Sequence, residues 1–133
     1  MINQLKTGIY NKATTAGSFN TGIGGRFYFE EAPQGAMFPF CSFHFITQTH
    51  SIDSATSFEY PVVQFNLYSK TSGSTEIGNL EQYLRDSFDY ASLTVTGYSN
   101  VLTKPYTINR LPKTNDQEVW QTTVSYIMTL EKN

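Results

Sequence analysis

Cys41, His44 and His50 put three metal-competent side chains within ten residues. The segment around them, FPFCSFHFITQTH, alternates like a strand. A strand turns Cys41 and His44 to opposite faces and spreads His44 and His50 over roughly 20 Å, so one ion cannot hold all three. His50 with Asp53 could supply a base and its orienting carboxylate, but no nucleophile accompanies them. A serine hydrolase needs a strand, a Gly-x-Ser-x-Gly elbow and a helix; GYSNV at 97–101 lacks the second glycine and precedes no helical pattern. GIGG at 22–25 lacks the third glycine of a dinucleotide fingerprint and reads as a turn. Glu30 and Glu31 flank a proline-bearing connection and read as solvated charges. No catalytic residue, metal site or cofactor is expected, and alanine at Cys41, His44 or His50 is expected to leave biological activity intact.

The elements that carry these residues follow from periodicity. Ile2, Leu5, Ile9, Ala13 and Ala16 recur at helical spacing, with Gly17 as a C-cap, which predicts a helix over 2–16. TGIGG reads as a turn before a short strand, RFYF. The connection EEAPQGAMFPF leads into a strand with Cys41, Phe43 and Phe45 on one face and His44 and Ile46 on the other. FEYPVVQFNLYSK repeats the pattern with Val63, Phe65 and Leu67 inward, and Pro61 argues for an edge position or a bulge. Residues 74–89 predict a second helix: Ser74 caps it, Glu76 sits in its first turn, and Ile77, Leu80, Leu84 and Phe88 form its apolar stripe. Asn79, Gln82, Asp86 and Asp89 are assigned to its polar face. LTVTGYSNV and KPYTINRL read as strand material joined by turns, and WQTTVSYIMTL as a closing strand with Trp120, Thr122, Val124, Tyr126, Met128 and Leu130 on one face. The expected fold is α+β, a single domain with two helices on a mostly antiparallel sheet. Phe43, Phe45, Val63, Phe65, Leu67, Leu80, Leu84, Phe88, Val124 and Tyr126 should be its core.

Composition narrows the function. The 133 residues suit one domain and one core. Charged residues are only 15%, below the roughly 25% of ordinary soluble domains, while 10 Phe and 9 Tyr crowd the chain. Such a surface suits a protein that lives against neighbours, or a β-rich core that uses aromatics because they suit strands. A net charge of -2 gives no footprint for nucleic-acid binding. A single cysteine and the lack of any long apolar segment give the expectation of a soluble protein made in a reducing cytoplasm, with no membrane partner.

GGRFYFEEAPQGAMFPFCSF resembles the tail-completion or tail-terminator family of long-tailed bacteriophages, also called tail-to-head joining proteins. The matching features are Gly25, Arg26 and Tyr28 in the first strand, the connection Ala32, Pro33, Gln34, Gly35 and Ala36, and the Pro39–Phe40 start of the next strand. The later order VVQFNLYSK, NLEQYLRDSF, VSYIMTL agrees in outline, so the resemblance spans nearly the whole chain, with 24–40 its specific part. It implies a non-enzymatic virion protein at the head–tail junction of the tail. Such a protein would be a subunit of a ring, usually a hexamer, that caps the tail tube and meets a head-side connector or stopper protein. Genomic DNA would pass through that ring without specific binding.

A proline-fixed connection suits such an interface, because a restricted chain loses little entropy on docking. Pro33, Gln34 and Gly35, and the loop residues His50, Ser51, Ile52 and Asp53, are therefore the expected contact residues, with the loop 49–57 ordering on assembly. A conduit for DNA should avoid a basic wall, which makes Asn79, Gln82, Asp86 and Asp89 the expected lumen-facing set. The competing reading is a small α+β ligand-binding or enzymatic domain with an aromatic pocket.

Overall fold

The computed structural model describes residues 2–50, 58–71, 73–111 and 119–132. Its elements are α1 (Ile2–Thr14), α2 (Ser18–Ile23), β1 (Phe27–Phe29), β2 (Phe40–His50), β3 (Phe58–Ser69), α3 (Thr75–Phe88), β4 (Tyr98–Leu111) and β5 (Trp120–Lys132). The strands form one sheet in the order β1-β2-β3-β5-β4. The architecture is α+β, with two departures from the expectation: the sheet is mixed, and a third helix is present.

That third helix is α2. Its sequence, SFNTGI, is too short and too glycine-rich to show a period, yet it buries Phe19 and Ile23. Gly24 (φ 61) ends it: the Gly24 and Gly25 amides donate to the carbonyls of Thr21 and Asn20, the Schellman pattern that needs a left-handed residue. Gly17, expected to close α1, instead begins α2.

β1 and β2 run parallel, with Phe27 beside Cys41 and Phe29 beside Phe43. The quoted connection is therefore a return path rather than a hairpin. β1 is three residues long, so residues 30–39 suffice to carry the chain back. Their shape is fixed at several points. Glu30 (φ 67) donates its amide to the Phe43 carbonyl at 2.8 Å. Ala36 N donates to the Pro33 carbonyl at 3.0 Å around Gly35 (φ 80), the positive φ that a type II turn requires at its third position. The Phe38–Pro39 peptide is cis. Arg26 closes the path, its Nε donating to the Pro39 carbonyl at 2.8 Å and its Nη2 to the Phe38 carbonyl at 3.4 Å.

β3 is interior rather than an edge, and Pro61 is accommodated by irregularity around it. The β2 register shifts between Phe45 and Thr47 opposite, and the β3–β5 pairing is interrupted between Glu59 and Val62. β4 is one long edge strand rather than two segments, bent by register shifts after Ser99 and after Pro105.

The helices lie against one face of the sheet: α1 on β1, α3 on β3 and β5, and α2 against α1 and α3. Leu5, Ile9, Phe19, Ile23, Leu80, Leu84 and Phe88 meet Phe43, Val63, Phe65, Leu67, Val124 and Tyr126 in a single cluster. Of the expected core, Phe45 alone is half-buried, beside the β2 bulge. Phe27 stacks on Phe43 with centroids 4.8 Å apart, and Phe65 meets Phe88 at the same distance. Phe19, Phe27, Phe43, Phe65, Phe88 and Tyr126 thus fill much of the core, at about 0.5–1.5 kcal/mol per well-placed pair beyond their burial.

Candidate functional site

The candidate chemistry separates in space. Cys41 is fully buried on the helix side of β2, and burial pushes its thiol well above the ordinary range, which leaves it inert. His44 faces the other way, and His50 ends β2. No group of three metal-competent side chains forms among the described residues. GYSNV runs from a turn at Gly97 (φ 87) straight into β4, without a helix. Glu30 and Glu31 are exposed. A hollow of about 630 Å³ lies between α1 and residues 92–96, where Thr7, Asn11, Lys12 and Thr94 present no acid–base pair. The apolar groove between α1 and β1, about 400 Å³, has its one lysine engaged: Lys6 Nζ sits 5.0 Å from the Phe29 ring centroid.

The surfaces offer more. Pro33, Gln34 and Gly35 are all exposed at the tip of the rigid connection, next to Met37 at 70% exposure. Ser51, Ile52 and Asp53, with the rest of 51–57, lie outside the described residues. Asn79, Gln82 and Asp86 are exposed along α3, with Gln82 Nε2 donating to Asp86 Oδ1 at 2.7 Å.

Asp89 does not join them. It caps the C-terminus of α3 and turns toward the sheet, where Tyr126 Oη donates to its Oδ1 at 2.6 Å and Arg85 Nε to its Oδ2 at 3.0 Å. Burial first, and then the bond to Asp89, push the Tyr126 hydroxyl well above the ordinary tyrosine range. Just beyond it, Thr103 Oγ1 donates to the Phe88 carbonyl and also accepts from the Ala91 amide. Asp89 thus anchors the helix end to the sheet, which a helical wheel cannot reveal.

The sequence reading also missed the sheet face opposite the helices. There Ser42, His44, Gln64, Asn66, Thr123, Ser125, Thr107 and Asn109 form adjoining cross-strand pairs without a formal charge. Asn66 ties them together. Its Oδ1 accepts from Gln64 Nε2 at 2.7 Å, and its Nδ2 reaches Ser42 Oγ at 3.4 Å and His44 Nδ1 at 3.3 Å. Ser42, Asn66 and Ser125 are each nearly inaccessible because their neighbours crowd them. The result is a smooth, neutral, hydrogen-bonding surface. A polar alternation in a strand signals such a face but does not tell it from ordinary solvated positions.

No protein-family model matches the chain, and no curated protein matches it. Among solved structures, its fold is shared with a chain in the structure described as the virion of a native gene transfer agent particle. That match has a TM-score of 0.79 at 10% identity and covers 98% of this chain and 96% of the other. At that identity the likeness is one of fold, over the full length of both.

Proposed function

We propose that the chain is a structural component of a phage-like virion, and within it the subunit of a ring that terminates the tail tube and joins it to the head-side connector. The observation that carries this reading is the end-to-end fold match to a chain of a virion particle. The resemblance of residues 24–40 to tail terminators points the same way. The geometry is consistent with it. The rigid connection at Pro33–Gly35 presents a preformed docking element, and its Gly-Arg and Pro-aromatic residues have a structural role, since Arg26 fastens Phe38 and Pro39.

Two sets of neighbouring residues without positive charge of their own could form part of a DNA-conduit wall: Asn79, Gln82 and Asp86 of α3, next to the paired Arg85, and the sheet face around Asn66, which Lys104 borders. Electron microscopy of the purified chain, alone and mixed with tail tubes, tests the function. Rings, usually hexamers, seated on tube ends are expected. A chain that stays monomeric with tubes present, and gains thermal stability from a small ligand, would establish the pocket reading instead.

A further inference from the structure

We propose that copies of this chain join edge to edge, the β4 edge of one pairing antiparallel with the β1–β2 edge of the next, so that the sheet continues around the assembly. This rests on the ring reading and names the surfaces that would close it. Both edges are open where they would meet. On one side β1 covers β2 only from Cys41 to Phe43, and Glu30 N caps the Phe43 carbonyl, which leaves β2 from Phe45 onward without an outer neighbour among the described residues. On the other side the segment 91–93 covers β4 at Val101–Thr103, through Leu93 N to the Val101 carbonyl and Thr103 N to the Ala91 carbonyl. From Lys104 to Leu111 β4 has no outer neighbour among the described residues. Open edges of this length are templates for strand addition unless something occupies them.

Direction and apolar exposure favour a second copy as the occupant. β2 and β5 run one way and β3 and β4 the other. A rotation about an axis along the strands preserves direction, so β4 of one copy meets β2 of the next antiparallel, the commoner pairing. The two edges differ, so the contact is head to tail and can close into a ring. Six large apolar side chains are exposed among the described residues, and three of them, Ile46, Tyr106 and Leu111, sit on these two edges.

Cross-linking tests it. Cys41 is buried, so cysteines introduced at the edges are the only accessible ones among the described residues. Within one copy β2 and β4 are separated by two strands, about 14 Å at the usual spacing, too far for a disulfide. Thr47→Cys combined with Thr107→Cys, Asn109→Cys or Leu111→Cys should give covalent oligomers under oxidation at one or more of the three. Thr47→Cys with Arg110→Cys, on the opposite face of β4, should not. If rings form but cross-links are absent, or are as strong at Arg110, the edge pairing is overturned while the ring stands. If the unmodified chain forms no oligomer, alone or on tail tubes, both are overturned.

Discussion

Replacing Tyr126 by phenylalanine removes one oxygen from the bond that holds the end of α3 to the sheet. The phenol is fully buried and donates at 2.6 Å to Asp89. A hydrogen bond to a charged partner contributes about 1.5–3 kcal/mol. Asp89 keeps Arg85 and a side chain 21% exposed, so its charge stays solvated in the variant and the cost falls at the low end, about 1.5 kcal/mol at pH 7. The penalty should then shrink as pH rises. The folded state holds the Tyr126 proton above the ordinary value of 10.0, so the stability from this group is complete below pH 10.0 and drains away above it, where the unfolded chain ionises first. That loss reaches about 1.4 kcal/mol by pH 11, which brings the two proteins together near that pH. Urea unfolding of both proteins at pH 7, 9, 10 and 11 measures it, with the chain dilute enough to be monomeric. A constant offset between wild type and variant across that range would show that Tyr126 is not held protonated by its site.

Four further outcomes are expected. Gly8→Ala should destabilise by about 1–2 kcal/mol in thermal unfolding, because a Cβ there lies 2.8 Å from the Thr94 carbonyl oxygen. Gly78→Ala in α3, where a Cβ meets nothing within 4 Å, should stabilise by up to about 1 kcal/mol. A thiol reagent should label Cys41 only after unfolding, at a rate unchanged by chelators. In particles, Asp86→Lys slows DNA ejection if α3 lines the channel, and Gln64→Lys does so if the open sheet face lines it, each defect easing with salt. Normal ejection with both would remove the two surfaces as channel walls.

Strong periods were legible in the sequence and long-range relations were not. The stripe Ile77, Leu80, Leu84, Phe88 and the alternation of β5 were clear because each element repeats its pattern over three or more turns or pleats. α2 escaped because six residues hold too little period. The parallel β1–β2 pair escaped because a proline-bearing connection between strands looks the same whether the chain reverses or returns. Pro61 signalled irregularity correctly, but the bulge lies in the partner strand, which only pairing reveals. Asp89 was assigned to the polar face by helical spacing, whereas its place is set by Tyr126, 37 residues away.

The strand order has a consequence for how the chain is made. β5 follows β4 in synthesis yet lies between β3 and β4, with Phe65 beside Val124 and Val124 beside Ile108. Until β5 emerges from the ribosome, β3 lacks one of its neighbours and β4 has no sheet to join. A nascent chain arrested before that point has a tract of Val63, Phe65 and Leu67 open to misassociation, and such long-range pairings are slow to form. Inserting β5 completes the core and gives β4 its place at the rim in one event. A copy without β5 therefore has neither a completed core nor a seated β4.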